Sequence, residues 1–215
     1  MVEVLSVITV VAILLAVAAV ALRPSGANAR RAARGEVLAM LTRARSEAIS
    51  SGSPIALVLV SLKDGPEERR GKSMTLYEVK QDDVSGTWEA RKQLRRWIDM
   101  PERTILLDRQ AVPVSGNGGT NVLDDSATLT AEVPGSSRGA KEEVECAFVV
   151  FSSTGAVLHP SGSGRLELFI GEGTYRGASG LLVTKKAPDG SAITDRVVLS
   201  RLSGRAQSVG SEVDS

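Results

Sequence analysis

The hydrophobic pattern divides the chain into three regimes. Residues 4–22 are apolar apart from Ser6 and Thr9, and this run of 19 residues is preceded by a single carboxylate, Glu3. A helix of that length covers about 28 Å, close to the hydrocarbon thickness of a bilayer, so residues 1–22 are predicted to form a membrane-spanning helix. Arg23-Pro24-Ser25-Gly26 interrupts the pattern, and because Pro and Gly both weaken helices a kink or short break is expected there. Apolar positions then return at Val37, Leu38, Leu41, Ala44, Ala48 and Ile49, three and four residues apart, while Arg34, Arg43, Arg45 and Glu47 fall mostly elsewhere. This predicts an amphipathic helix over 27–51, stopped at Ser51-Gly52-Ser53-Pro54.

Beyond Pro54 the period becomes strand-like. Residues 55–62, 74–79, 104–107, 127–133, 144–152, 165–170, 181–185 and 196–202 are short runs rich in β-branched and apolar side chains, separated by Gly, Pro, Ser and Asp. The segment from Lys92 to Pro101 closes a hairpin and leads into the strand at Thr104. The charged stretch 63–73 and the Gly-rich stretches 113–123 and 134–143 read as exposed, mobile loops, and the polar tail 208–215 as frayed. The expected fold class is α+β: a long N-terminal helix, membrane-spanning in its first half, packed through its second half on an antiparallel β-sandwich or curved sheet. The units are residues 1–22, an amphipathic segment 23–53, a β-rich domain 54–207 and the tail 208–215.

Composition narrows the chemistry. A net charge of +1 over 215 residues argues against a general nucleic-acid binder, and with aromatics at 3% the core must come mainly from Val, Leu, Ile and Ala. One cysteine, Cys146, allows no intramolecular disulfide, and its apolar neighbours make it a buried small residue. His159, the one histidine, precedes Pro160 in a Gly/Ser-rich turn and reads as a surface residue; no His/Cys metal cluster can be assembled around it. No G-x-S-x-G elbow supports a triad, and Gly71-Lys72-Ser73 lacks the earlier Gly of a phosphate loop, since that position is Pro66. Neither catalysis nor a metal or other cofactor is expected.

Nothing basic precedes the apolar run, so a cleaved secretory signal is not expected. Arg23, Arg30, Arg31 and Arg34 follow it, which by the positive-inside rule would put that side in the cytoplasm. Glu3 is the costly residue, because a carboxylate at the edge of an apolar helix must reach the interface or find a partner.

Met1-Val2-Glu3-Val4-Leu5 resembles the Leu-x-Glu-Val-Leu opening of type IV pilins and type II secretion pseudopilins, with Glu3 on the family's near-invariant glutamate. The basic leader ending in Gly and the following Phe-Thr pair are not in this sequence. Either the start was assigned inside a longer frame or the processing site was lost; an upstream leader would also restore positive charge to the cytoplasmic side. The resemblance implies cleavage by a prepilin peptidase, N-terminal methylation, and a meeting of Glu3 with a neighbouring subunit's terminal amine. Such a pair favours one axial register, because an unpaired carboxylate in an apolar bundle is strongly disfavoured.

The stretch Leu41-Thr42-Arg43-Ala44-Arg45-Ser46-Glu47-Ala48-Ile49, continuing through Gly52 and Pro54 to Ile55, is similar to the segment of the GspH/FimT minor pilins and pseudopilins where the long helix hands over to the first strand. On pattern alone Arg45 and Glu47 read equally as solvated helix charges. The resemblance implies a non-enzymatic subunit held by one pass in the bacterial inner membrane, with its globular domain in the periplasm. Its implied partners are other pilin or pseudopilin subunits, an inner-membrane assembly platform, and secreted cargo or DNA. Finally, Arg201-Leu202-Ser203-Gly204-Arg205-Ala206-Gln207 resembles the Gly-Arg-x-Arg signature of FimT-like pilins that bind DNA, with Gln207 in place of the second arginine. That implies DNA contacts by Arg201 and Arg205; otherwise the Gly-Arg turn simply ends the last strand. An envelope enzyme on an ordinary anchor is the remaining alternative, and no residue constellation supports it.

Overall fold

The structure, a computed structural model, describes residues 26–209 except 109–110, 113–118, 136, 138, 163, 178–179 and 189, together with Ile8, Val11 and Ala12. Helix α1 (Gly26–Ser51) buries Arg30, Ala33, Val37, Met40, Leu41, Ala44 and Ala48 along one face. That face follows the three-and-four spacing, with Arg30 and Ala33 added at its start and Leu38 only half-buried. Met40 joins it, and Ile49 remains 45% exposed because it lies beside the turn at Gly155 instead of over a sheet. The helix ends where Gly52, at φ +69°, returns its N–H to the Ala48 carbonyl at 3.1 Å.

The strands follow in order as β1 (Ile55–Val60), β2 (Ser73–Gln81), β3 (Trp88–Gln93), β4 (Ile98–Asp99), β5 (Thr104–Leu107), β6 (Thr120–Asn121) and β7 (Leu129–Pro134). They continue as β8 (Lys141–Phe151), β9 (Val157–His159), β10 (Arg165–Arg176), β11 (Gly180–Val183), β12 (Thr194–Ser200) and β13 (Ala206–Val209). One antiparallel sheet has the order β3-β2-β1-β8-β7, with β4 added beside β2 and β9 beside β8. The second has the order β11-β10-β12-β13, and the long β10 also takes β5, antiparallel, and β6, parallel.

Strand β1 explains why residues 55–60 are continuously apolar instead of alternating. Ile55, Leu57 and Leu59 face α1 and the second sheet, while Ala56, Val58 and Val60 face a cluster with Tyr77, Val79, Leu129, Phe148 and Val150. The first sheet is curled, with register shifts at Glu78/Val79 and Val150/Phe151 that bend it. Its edges β3 and β7 come close enough for the Trp97 indole N–H to donate to the Glu132 carbonyl at 2.9 Å. A curled sheet covers its own concave face, and α1 covers the convex one. Central strands buried on both faces read as unbroken apolar runs.

The α+β architecture is therefore the expected one: a helix on antiparallel sheets. Strands β3, β4, β6, β9 and β13 escaped the pattern. They are short or polar, like the exposed Glu89, Arg91, Lys92 and Gln93 of β3. Two stretches read as exposed loops are partly interior. In 63–73, Pro66, Gly71 and Ser73 are buried, and Gly71 accepts from Leu106 at 2.8 Å and donates to Val60 at 3.0 Å, tying the two sheets together. In 113–123, Asn121 is buried and gives its amide to the Leu107 carbonyl at 2.9 Å. The last strand includes Ser208 and Val209, two residues assigned above to the tail.

Leu41 is fully buried at the junction of α1 and the sheets. Leu41→Ala should lower unfolding free energy by about 2–5 kcal/mol, measured by urea denaturation.

Candidate functional site

Glu3, the residue with the sharpest expected role, lies outside the described residues, as does the rest of the apolar run except Ile8, Val11 and Ala12. Those three are helical and exposed. Among the described residues no helix is long and apolar enough to cross a membrane.

Arg201 and Arg205 sit in the turn from β12 to β13. Ser200 donates to the Arg205 carbonyl at 2.9 Å and Gly204 to the Ser200 carbonyl at 2.8 Å, which closes a tight loop. Gly204 has φ +59°, and a Cβ there would collide with the carbonyl of Gly155. Arg45 clamps the same corner, its Nε donating to the Ser203 carbonyl at 2.8 Å. A Cβ on Gly155 would lie 3.0 Å from Arg45 Nε and 2.8 Å from Ile49 Cδ1. Thus the Ala44–Ile49 motif and the C-terminal Gly-Arg motif, 158 residues apart between Arg45 and Ser203, form one contact. Arg45 is not a solvated helix charge; Glu47 is half-buried.

The two arginines differ in kind. Arg205 projects into solvent. Arg201 is half-buried: its Nη1 donates to the Pro160 carbonyl, and its Nε and Nη2 are buried without hydrogen bonds. Burial pulls its pKa down, opposed by the charge of Asp125. Arg201, Arg205 and Arg165 line one cleft of about 620 Å³ with Ser200, Ser203 and Gln207, and among the described residues no carboxylate side chain lines it. Arg165 was not foreseen. It opens β10 directly across from Ser200, and only strand pairing brings it there; a lone charge at a strand start carries no signal in sequence.

His159 corrects the surface reading. It is 8% exposed, and its ring stacks on Phe148 with centroids 4.1 Å apart and 13° between planes. The β8–β9 pairing, Val150 opposite His159, turns the ring into the curled sheet. Nε2 lies 3.3 Å from Asp125 Oδ2 without the alignment of a hydrogen bond. Desolvation lowers the His159 pKa, Asp125 opposes this, and Arg201 adds to the lowering.

The other candidate chemistry is structural. Cys146 is fully buried, and burial, with the nearby charge of Asp64, pushes its thiol up to about 12, so it stays protonated and unreactive. Lys72 donates to Thr174 Oγ1 at 3.2 Å and runs directly into β2, not into the helix a phosphate loop requires. Among the described residues no group of three His, Cys, Asp or Glu could hold a metal.

No protein-family model matches the chain, and no curated protein matches it in sequence. Two solved structures match it in structure, both crystal structures of the Pseudomonas aeruginosa type IV minor pilin FimU. In the P21 form the identity is 19% over 85% of this chain and 90% of that one, with a TM-score of 0.44. In the P65 form the identity is 20% over 83% and 91%, with a TM-score of 0.41.

Burial of neutral His159 sets a pH dependence. Its folded pKa lies below the ordinary 6.5, so the unfolded chain takes up the proton first. The stabilisation is complete above pH 6.5 and is lost as pH falls through 6.5 toward the folded pKa. Urea denaturation at pH about 7.5 and about 5.5 should show a loss at the lower pH that shrinks in His159→Gln.

Proposed function

We propose that this chain is a non-enzymatic filament subunit of the minor pilin or pseudopilin kind, serving a type IV pilus or a type II secretion pseudopilus. The observation that carries the reading is the order of three features: Glu3 at the edge of a 19-residue apolar run, a helix with one buried stripe, and a Gly-Pro handover into a strand. In this reading residues 1–22 are stored as a single pass in the inner membrane, with the domain in the periplasm, and are then drawn into a filament core by an assembly platform. A prepilin peptidase acts on an upstream leader, and the new N-terminus is methylated. Glu3 pairs with the terminal amine of a neighbouring subunit and fixes the register, while the domain contributes to initiation or cargo contact.

The position of the apolar run just ahead of Gly26 in the sequence supports this arrangement. The 26 residues of α1 extend about 39 Å at helical rise. The arginine cleft and the Gly155 and Gly204 turns gather at the far end of α1, where a filament subunit whose N-terminal helix is in the core presents its outer surface.

Glu3→Ala should reduce incorporation into sheared filaments about tenfold or more, as expected for loss of a pair in an apolar bundle. Membrane insertion should be unchanged, and immunoblots of filament and membrane fractions read both. Full incorporation of the membrane-inserted variant would remove the registry role.

A second reading, DNA binding, is favoured by the convergence of Arg165, Arg201 and Arg205 on one cleft that no carboxylate lines among the described residues. With Arg201 held behind them by Pro160, the two exposed arginines Arg165 and Arg205 predict that log affinity for duplex DNA falls with log salt at a slope of about −2, reduced by about 1 in Arg205→Ala. Fluorescence anisotropy with a labelled duplex checks this, and absence of binding at low salt would remove it.

A further inference from the structure

A second cleft, of about 450 Å³, opens at the mouth of the curled sheet, between the turn joining β2 to β3 and the start of β7. Its floor includes the stacked Phe148 and His159 rings, and half-buried Trp88 forms part of its wall. The remaining groups that matter are neutral: the Gln81 amide and the hydroxyls of Thr87, Thr128 and Ser161. Among the described residues no Lys, Arg, Asp or Glu lines it.

We propose that this cleft binds a neutral saccharide. A pyranose ring presents an apolar C–H face that fits the half-buried Trp88 ring, with the buried Phe148–His159 stack behind it, and a rim of hydroxyls that exchange hydrogen bonds with hydroxyl side chains. A charged ligand finds no counter-charge among these residues, and a wholly apolar one leaves the hydroxyls of Thr128 and Ser161 without a partner from the ligand. The volume lies within the roughly 300–1,000 Å³ of small-molecule sites.

The wall is also fixed in advance. Trp88 pairs directly across from Gln81, whose amide donates to the Gly86 carbonyl at 2.9 Å. The turn is locked by Asp82, which accepts from Ser85 Oγ at 2.6 Å and from the Val84 N–H at 3.1 Å. These bonds hold the exposed Asp82 carboxyl below its ordinary pKa. A platform ordered before binding loses little entropy when the ligand arrives.

The site is independent of the filament reading and of the arginine cleft. His159 belongs to its floor, and the carbonyl of the next residue, Pro160, holds Arg201, so the two clefts stand on opposite sides of one short segment.

The test is calorimetric titration of the full chain, kept in an amine-oxide detergent because sugar-headgroup detergents would compete. Probes are trisaccharides of glucose, galactose, mannose and N-acetylglucosamine. Saturable binding of at least one is expected, weakened at least about tenfold by Trp88→Ala. Thr128→Val keeps the side-chain shape, should also weaken binding, and serves if the tryptophan variant does not fold. Arg205→Ala should leave binding unchanged. No saturable heat with any of the four, binding that survives both cleft variants, or equal binding of an apolar tripeptide would overturn the proposal.

Discussion

The structure depends on burying one stripe of α1. Most helical stability in proteins comes from packing an apolar face against the rest of the fold, not from helix propensity alone. Here Ala33, Val37, Leu41, Ala44 and Ala48 lie against Leu57 and Leu59 of the curled sheet and against Leu168, Ile170, Val197 and Leu199 of the second sheet. Alanines at three of those five positions let the helix approach both sheets closely. The helix is therefore the third wall of the main core, and the two sheets meet through it.

Each end of α1 is tied by an arginine. Near its start, buried Arg30 pairs with Glu172 of β10, and a Cβ on Gly26 would run into the same carboxylate. Lys185 Nζ stands 4.0 Å from Glu172 on the solvent side. A buried pair of this kind adds little net stability over apolar packing, but breaking it leaves a stranded charge, so it fixes how the helix lies. Near its end, Arg45 reaches the Ser203 carbonyl, and the glycines at 155 and 204 allow the backbone to close around it. The turn that carries Arg205 is thus positioned by the helix as much as by its own strands.

The surface beyond that corner is divided by chemistry. Among the described residues, three arginines without a carboxylate line one cleft, and aromatic rings with neutral hydroxyls and an amide line the other. His159 and Pro160 separate them, and cluster with Asp125 and Arg201. Charge on one side and neutrality on the other would select different ligands from the same environment.

Much of the fold was legible because periodicity reports burial directly. The stripe of α1, its stop at Gly52 and the strands with unbroken apolar runs follow from spacing, since a residue facing the core must be apolar whatever covers it. The polar edge strand β3, the two-residue strands β4 and β6, and the interior course of residues around Gly71 and Asn121 were not legible, because pairing partners satisfy their backbone groups and those partners are distant in sequence. Of the arginine cleft, Arg201 and Arg205 were visible through the turn they share; Arg165 was not, because only the pairing of β10 with β12 brings it across. His159 was misread for the same reason: local Gly and Ser suggest a surface turn, while the β8–β9 pairing stacks the ring on Phe148. Sequence determined which faces are apolar and where elements stop, because those depend on side chains a few residues apart. Tertiary structure decided which charges are buried and which polar groups share a cleft, because those depend on what strand pairing and helix packing bring within a few ångströms.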